Sequence, residues 1–247
     1  MKLLLLGACG RMGKKVAEIA EKEVMCGVDR APAPMPFPVY QSFSEVTESV
    51  EIVIDFSSAE NISERLAFCA ERNIPIVLAA TGYTQADLAQ IEESAKKFPV
   101  FKTGNLSIGV NLLQYLAKKA AQILGDGFDA EIVERHHKHK KDAPSGTALM
   151  LADSVNEGFG GQKENILGRH GIVGERNSRE IGIHAVRGGT IVGEHEVMFA
   201  GDDEIITLSH SARSRKIFAS GALKAAKWLL FQPAGLYDMD DLLADIL

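Results

Sequence analysis

Short apolar runs alternate with helix-like stretches through the first 107 residues of this chain. The first run, Leu3–Leu6, is apolar at every position. Later runs lie at 24–28, 51–56, 75–80 and 99–103, and the helix-like stretches lie at 14–23, 59–72 and 84–97. Runs without polar positions are typical of strands buried on both faces of a parallel sheet. The alternation therefore predicts an α/β domain with helices on both faces of a parallel sheet.

A glycine-rich turn follows the first run. Its glycines at positions 7, 10 and 13 permit a tight turn and let backbone amides approach a pyrophosphate at a helix start. The spacing is G-x-x-G-x-x-G rather than the usual G-x-G-x-x-G. In a strand-turn-helix context it predicts a Rossmann-type dinucleotide site. The candidate residues of the turn are Gly7, Ala8, Cys9, Gly10, Arg11 and Met12.

Cofactor choice is left open by the next two candidates. Asp29 ends the second run, 22 residues after Gly7, near where an acid would bind the adenosine ribose of NAD. Arg30 follows directly, and its guanidinium could hold the 2'-phosphate of NADP. Both NADH and NADPH are therefore predicted cofactors. Two further strand ends, 79–82 and 104–107, are candidates for the nicotinamide side or are simple turns.

The pattern changes after residue 107. A long helix is predicted over 112–124, and three strand-like runs follow at 181–187, 190–199 and 204–211. Hairpin turns are predicted at 187–190 and 200–203, giving an α+β domain with a mainly antiparallel sheet. One face of such a sheet can form a subunit interface. Helical patterns return at 218–230 and 237–247, so the predicted domains are 1–107 with 216–247, and 108–215.

A dense basic segment, Glu134–Ala148, lies inside the second domain. Four fixed cations and three histidines fall within seven residues of a chain whose net charge is -6. Such a concentration of positive charge indicates an anionic ligand. Ser145 is a plausible N-cap, so the amides of Gly146 and Thr147 would lie at a helix start that also favours anions. The segment predicts a receptor for a small polyanion beside an acid-base group.

Two other interpretations of the basic segment are weaker. A nucleic-acid surface would be expected to carry interleaved aromatic residues and a basic domain, whereas the isoelectric point here is near 5.7. A metal site on His136, His137 and His139 would be opposed by the neighbouring lysines. We therefore expect no metal and no nucleic-acid partner.

Three scattered cysteines suggest reduced thiols rather than a disulfide framework. The apolar start of the chain is too short for a signal peptide or a membrane span. These features predict a cytoplasmic protein with no membrane segment.

Together the glycine turn and the segment Glu134–Ala148 closely resemble the dihydrodipicolinate reductase family, and the similarity extends over 104–111 and 191–196. The resemblance implies a reductase that takes hydride from NADH or NADPH to form tetrahydrodipicolinate, with loss of water, in lysine and diaminopimelate biosynthesis. It also implies a homotetramer that forms through the antiparallel sheet.

The family's site residues can be placed on this sequence. The acid-base residue would be His136 and the catalytic lysine Lys140. Substrate carboxylate would be bound by His137, Lys140, Gly146 and Thr147, with Ser145 beside them. The cofactor residues would be Gly7 to Met12, Asp29, Arg30, Ala79, Ala80, Thr81, Gly104, Asn105, Leu106 and Ser107. This chain has Ala-Ala-Thr-Gly at 79–82 where the family usually has Gly-Thr-Thr-Gly.

The proposed chemistry also follows from residue types. A cyclic dicarboxylate needs ammonium groups and amide donors, and histidine can supply a proton near neutrality. Rival hypotheses are a dehydrogenase for another anionic substrate, a nucleotide-sensing protein without turnover, and a zinc enzyme.

Overall fold

The computed structural model describes residues 1–246, and the chain forms two compact units. Unit 1 comprises Met1–Ile108 together with the C-terminal segment that begins at Arg215. Unit 2 comprises Gly109–Ser214. Each unit has its own core.

The N-terminal part of unit 1 alternates strands with helices. The elements in chain order are β1 (Leu3–Leu6), α1 (Arg11–Ala20), β2 (Val24–Val28), β3 (Val39–Tyr40), β4 (Ile52–Asp55), α2 (Ile62–Arg72), β5 (Ile76–Leu78), α3 (Gln85–Ala95) and β6 (Pro99–Lys102).

Unit 2 begins with a long helix and continues with five strands and a second helix. These are α4 (Ile108–Leu124), β7 (Asp129–His136), α5 (Gly146–Gly158), β8 (Glu164–Leu167), β9 (Glu180–Arg187), β10 (Gly193–Ala200) and β11 (Ile205–Ala212). The chain then returns to unit 1 with α6 (Lys216–Leu229), β12 (Gly235–Tyr237) and α7 (Met239–Ala244).

The sheet of unit 1 has seven strands in the order β12-β6-β5-β4-β1-β2-β3, and its pairs are parallel. Alternate residues of β1 enter different cores. Leu3 and Leu5 pack with the apolar side of α6, whereas Leu4 and Leu6 pack with residues of α2 and α3. Helices therefore cover both faces, which explains why the run has no polar position.

The sheet of unit 2 has the order β11-β10-β7-β9-β8. Strand β10 is antiparallel to β7 and β11, and β9 is parallel to β7 and β8. Apolar residues of α4 and α5 cover one face of this sheet. The predicted fold class, a Rossmann-type domain plus an α+β domain, is confirmed.

The predicted hairpin at 187–190 is wrong, because β7 lies between β9 and β10. The amide of Gly188 donates instead to the carbonyl of His136 on β7 (2.9 Å). Alternation of apolar residues identifies the buried face of a strand but not its neighbour. The second predicted hairpin is confirmed, since β10 and β11 pair and Gly201 N–H donates to Glu204 O (2.9 Å).

Three strands were not predicted. Strand β3 has only two residues. Strand β8 lies in a polar stretch and is mostly exposed, so it has no apolar alternation. Strand β12 lies just before the C-terminal helix and has three residues. Helix α1 also begins at Arg11, three residues before the predicted start at Lys14, because residues 10–13 of the glycine motif already form the helix start.

Candidate active site

Strand β7 brings Glu134 and His136 to the covered face of the sheet in unit 2. Residues two apart on a strand share a face, and both side chains are buried, with Glu134 fully so. The carboxylate of Glu134 lies 2.7 Å from Nδ1 of His136. A carboxylate beside Nδ1 favours the form in which that nitrogen carries hydrogen, which leaves Nε2 for chemistry.

Glu134 is bound by three groups in all. Arg187 donates from both terminal nitrogens, each 2.7 Å from a carboxylate oxygen. The amide of Ser145 donates to Oε1 (2.9 Å). Burial by itself would raise the pKa of Glu134, but hydrogen bonds from Arg187 and His136 bring that pKa below its ordinary value. Glu134 therefore stays ionised and holds His136 in one orientation.

The absence of a side chain at Gly193 leaves space beside Nε2 of His136. Gly193 is the first residue of β10, and a Cβ at this position would lie 3.0 Å from Nε2. A side chain here would crowd that nitrogen. The ring of His195 packs edge-on against that of His136, with centroids 5.2 Å apart.

His195 is a second buried histidine of this site. Its Nε2 lies 3.1 Å from the hydroxyl of Ser145. Burial, with the nearby His136 as the next cause, lowers the pKa of His195 from 6.5 to about 4. His195 is therefore neutral near pH 7 and serves as a hydrogen-bonding partner of Ser145.

Ser145 begins helix α5 as predicted. Its hydroxyl accepts from the amide of Ala148 (3.2 Å), which is the contact of an N-cap. Gly146 is exposed and Thr147 half-buried at the first turn. An amide in the first turn of a helix has no carbonyl one turn back, so that of Gly146 is suited to bind an anion.

The remaining basic residues are distributed unevenly. Lys140 is half-buried, with Nζ 2.8 Å from Oδ2 of Asp142, and Lys140 lowers the pKa of that carboxyl group. His137 is half-buried, and its carbonyl accepts from the amide of Lys140 (3.1 Å). The exposed basic residues of the segment are Lys138, His139 and Lys141. The structure thus brings His136, Ser145 and the start of α5 together and leaves two predicted cations and one imidazole in solvent.

The predicted nucleotide turn connects β1 to α1 in unit 1. Gly7 has φ +68°, and a Cβ there would lie 2.9 Å from the backbone of Phe56. A Cβ at Gly13 would lie 2.2 Å from the carbonyl oxygen of Gly7. Glycine at both positions therefore lets the turn pack closely against backbone at the start of α1. The amides of Arg11 and Met12 lie in the first turn of that helix, which fits a pyrophosphate because it needs amide donors.

Asp29 and Arg30 lie at the carboxyl end of β2, beside this turn. Asp29 accepts from the amides of Cys9 (2.9 Å) and Ala31 (3.1 Å). The guanidinium of Arg30 lies 2.6 Å from Glu60 and 3.4 Å from the hydroxyl of Ser58. Asp29 thus connects the end of β2 to the glycine turn. Arg30 pairs with Glu60, a residue that the sequence analysis did not identify.

The other nucleotide candidates follow β5 and β6. Ala79 donates its amide to Asp55 O (3.0 Å) at the end of β4, Ala80 is half-buried, and Thr81 is exposed. Gly104 is exposed, and Leu106 is buried. Asn105 exchanges hydrogen bonds with Thr103 and accepts from the amide of Ser107 (2.9 Å). These loops lie at the carboxyl ends of neighbouring strands, where open α/β sheets bind ligands.

Within residues 1–246, no group of three or more His, Cys, Asp and Glu side chains has an arrangement that could hold a metal ion. Over the same residues, none of the helices is both long and apolar enough to span a membrane.

Comparison with protein families gives two matches that together cover almost the whole chain. Residues 1–106 match the N-terminal model of dihydrodipicolinate reductase, and residues 109–243 match its C-terminal model. The chain belongs to the dihydrodipicolinate reductase family. The resemblance inferred from the glycine turn and the basic segment is thereby confirmed.

Individual relatives support this membership. The 4-hydroxy-tetrahydrodipicolinate reductase of Caldanaerobacter subterraneus subsp. tengcongensis is 51% identical over 246 residues, covering 98% of each chain. That of Clostridium tetani is 40% identical, with 98% of this chain and 97% of the relative covered. The fold is shared with a dipicolinate-bound dihydrodipicolinate reductase from Paenisporosarcina sp. TG-14, with a TM-score of 0.80, 24% identity and 96% of each chain covered.

As a dihydrodipicolinate reductase family member, the chain is a dinucleotide-dependent oxidoreductase, as predicted. Four residues of the site in unit 2 were not predicted: Glu134, Asp142, Arg187 and His195. Glu134 ends the apolar run at 130–134 and lies two residues before His136, and that spacing was a usable signal. Asp142 and His195 gave only a weak signal, and Arg187 was assigned to a hairpin turn.

Proposed function

We propose that this chain reduces 4-hydroxy-tetrahydrodipicolinate to tetrahydrodipicolinate, with loss of water, in lysine and diaminopimelate biosynthesis. The observation that carries this proposal is the arrangement of Arg187, Glu134 and His136 beside the start of α5. A buried, oriented imidazole next to an anion-binding helix start suits protonation of a small carboxylate substrate. The reductase names of the relatives agree with it.

The reaction adds one hydride and one proton after the 4-hydroxyl leaves as water. When bound, the reduced nicotinamide supplies the hydride. Hydride addition to a conjugated imine leaves electron density that must be protonated, and Nε2 of His136 is the group assigned to that proton. Glu134 holds Nδ1 and stabilises the ring while it is charged.

The two carboxylates of the substrate need separate partners. The amides at Gly146 and Thr147, with the hydroxyl of Ser145, are assigned to one of them. Lys140 and His137 are assigned to the reacting side of the ring. Lys140 is paired with Asp142, whose side chain is 59% exposed, so a substrate carboxylate can replace that partner. The dipicolinate-bound relative supports a dicarboxylate ligand of this kind.

The cofactor is assigned to unit 1, as NADH or NADPH. The pyrophosphate would lie against the turn Gly7 to Met12, with the first amides of α1 as donors, and the adenosine ribose against Asp29 and Arg30. The loops at 79–81 and 104–107 are assigned to the nicotinamide side. No metal takes part in this scheme, and activity should persist in the presence of a chelator.

The assembly we propose is a homotetramer formed through the face of the unit 2 sheet that α4 and α5 do not cover. Light scattering that gave the mass of a single chain at micromolar concentration would contradict it. The three cysteines are unpaired, which suits a reducing, cytoplasmic location.

The test of the function is His136→Gln in an assay that follows NADH or NADPH oxidation, with substrate made in situ by the preceding synthase. We expect turnover to fall by about a hundredfold or more, because general-acid catalysis is usually worth about that much. The matched control is His139→Gln, which removes an exposed imidazole of the same segment. A His136→Gln enzyme within a few-fold of wild type would remove the acid role. Faster turnover of another anionic substrate would instead favour a different dehydrogenase.

A further inference from the structure

We infer that Glu60 is a specificity-determining residue that makes this chain favour NADH over NADPH. The inference rests on the proposed function only in taking the cavity beside Asp29 as the adenosine-ribose site. That cavity, of about 250 Å³, lies within unit 1 between the glycine turn and the start of α2. Its charged lining residues are Asp29, Arg30, Glu60, Glu64 and Arg65.

Among the residues that line the cavity, Arg30 is the cation that could bind a 2'-phosphate. It already has an anionic partner. Its guanidinium lies 2.6 Å from Oε2 of Glu60, and both side chains are about 70% exposed. Arg30 lowers the pKa of Glu60, so this acid is ionised near neutrality. Glu60 thus occupies the position opposite Arg30 that a phosphate would need.

Arg65, the second arginine that lines the cavity, forms an ion pair with another acid. Arg65 lies 3.1 Å from Asp55, and both side chains are buried. Burial raises the pKa of Asp55 and Arg65 opposes that rise. A buried guanidinium keeps its proton and needs a counter-charge, so Asp55 neutralises Arg65. A phosphate in the cavity would therefore have to compete with Asp55 for Arg65.

The remaining balance of charge is negative. Three carboxylates, those of Asp29, Glu60 and Glu64, line the cavity with the guanidinium of Arg30, which is itself paired with Glu60. A phosphate monoester carries about -1.5 to -2 charges near pH 7, so carboxylates at this distance repel it. The free hydroxyls of NADH meet no such penalty. Although Asp29 already accepts two amides, a carboxylate has about four lone-pair sites and can also accept from a ribose hydroxyl.

The experiment compares Glu60→Gln with wild type by calorimetric titration of two fragments, ADP and 2',5'-ADP. The substitution keeps the size of the side chain and removes its charge. We expect the Kd of 2',5'-ADP to fall by about two- to fivefold, as for a charge contact near the surface, and that of ADP to change less than twofold. The steady-state KM for NADPH should fall in parallel.

The matched control is Glu93→Gln, which breaks an exposed pair with Lys96 on α3 and should change neither Kd. In the double variant Arg30→Gln/Glu60→Gln the gain should disappear, because Arg30 is the group released. An unchanged ratio of the two Kd values in folded Glu60→Gln would overturn the inference. A shifted ratio without turnover of the dipicolinate intermediate would contradict the proposed function but not the role of Glu60.

Discussion

At the scale of single residues, Glu134 connects three groups of the unit 2 site. Its carboxylate holds Arg187, the amide of Ser145 and Nδ1 of His136, and its side chain is fully buried. A buried charge with three donors is costly to disturb, because each donor loses its acceptor when the charge is removed. The orientation of His136 and the stability of the surrounding structure are therefore linked through Glu134.

Glu134→Gln should slow catalysis and destabilise unit 2. We expect kcat to fall by roughly ten- to a hundredfold, since an amide no longer holds the protonated ring of His136. Leaving Arg187 without its partner should cost on the order of 3 kcal/mol of unfolding free energy. The measurements are a pH profile of kcat and urea denaturation. Glu196→Gln, which affects the looser pair with Arg135 at 3.7 Å, is the control. Unchanged kcat would assign Glu134 a purely structural role.

His195 should make the protein less stable in mild acid. The pKa of its imidazole is lowered from 6.5 to about 4 in the folded chain, so between these values the unfolded chain binds the extra proton. The contribution of His195 is therefore complete above about pH 6.5 and is lost as the pH falls toward 4. The loss should reach on the order of 3 kcal/mol.

Urea denaturation across that range tests the prediction. His195→Gln should show a smaller decline in unfolding free energy between pH 6.5 and 4 than wild type, whereas His139→Gln, at an exposed site, should follow wild type. Parallel curves for all three proteins would contradict the assignment.

At the scale of elements, the start of α5 combines a stability role with a proposed binding role. The hydroxyl of Ser145 caps the helix and lies beside His195, and the Ser145 amide is bound by Glu134. The same residue therefore fixes where the helix begins and how its first amides are directed.

Ser145→Ala should cost about 1 kcal/mol of stability, as for other N-caps, and should also raise the KM for the dicarboxylate several-fold. Thr84→Ala is a matched control, because the hydroxyl of Thr84 caps α3 in the same way. It should produce a similar loss in thermal denaturation with no change in KM. An equal KM effect in both variants would mean that the change reflects general destabilisation.

The elements that could be predicted from the sequence are those whose burial produces a recognisable pattern of apolar side chains. Strands β1, β2 and β4 to β6 are apolar because helices cover both faces of their sheet, and the cap at Ser145 has its own local chemistry. Strand β8 is exposed and β12 short, so neither has a distinctive pattern. The order of strands in unit 2 depends on contacts between distant segments, which no local pattern encodes.

The same limit applies to the site. His136, Ser145 and the glycine turn were predictable because each lies in a compact motif. Arg187 is aligned with His136 across β7 and β9, and His195 with Glu134 across β7 and β10. These pairings became visible only once the register of the strands was known.

At the scale of the whole molecule, unit 1 is assembled from the two ends of the chain. Helix α6 packs against the β1 side of the core, and β12 adds to the sheet beside β6. Gly221 on α6 approaches the loop after β6 so closely that a Cβ would lie 1.7 Å from the carbonyl oxygen of Leu106. The C-terminal segment therefore supports a loop assigned to the nucleotide.

Gly221→Ala should weaken both unit 1 and nucleotide binding. The added methyl group cannot fit without moving backbone, and such overpacking costs about 1–3 kcal/mol. We expect lower stability in thermal denaturation and a higher Kd for NADH. Gly127→Ala is the control, since a Cβ there meets nothing within 4 Å. Wild-type affinity in Gly221→Ala would show that the loop at 104–107 does not need this support.

The return of the chain to unit 1 also fixes an order of events during synthesis. Residues 109–214 leave the ribosome before α6 and β12 exist, so unit 2 can finish folding while the sheet of unit 1 still lacks an edge strand and a covering helix. Domains usually fold from the N-terminus as translation proceeds. Here the N-terminal part of unit 1 keeps one apolar surface exposed to solvent until α6 and β12 have been translated.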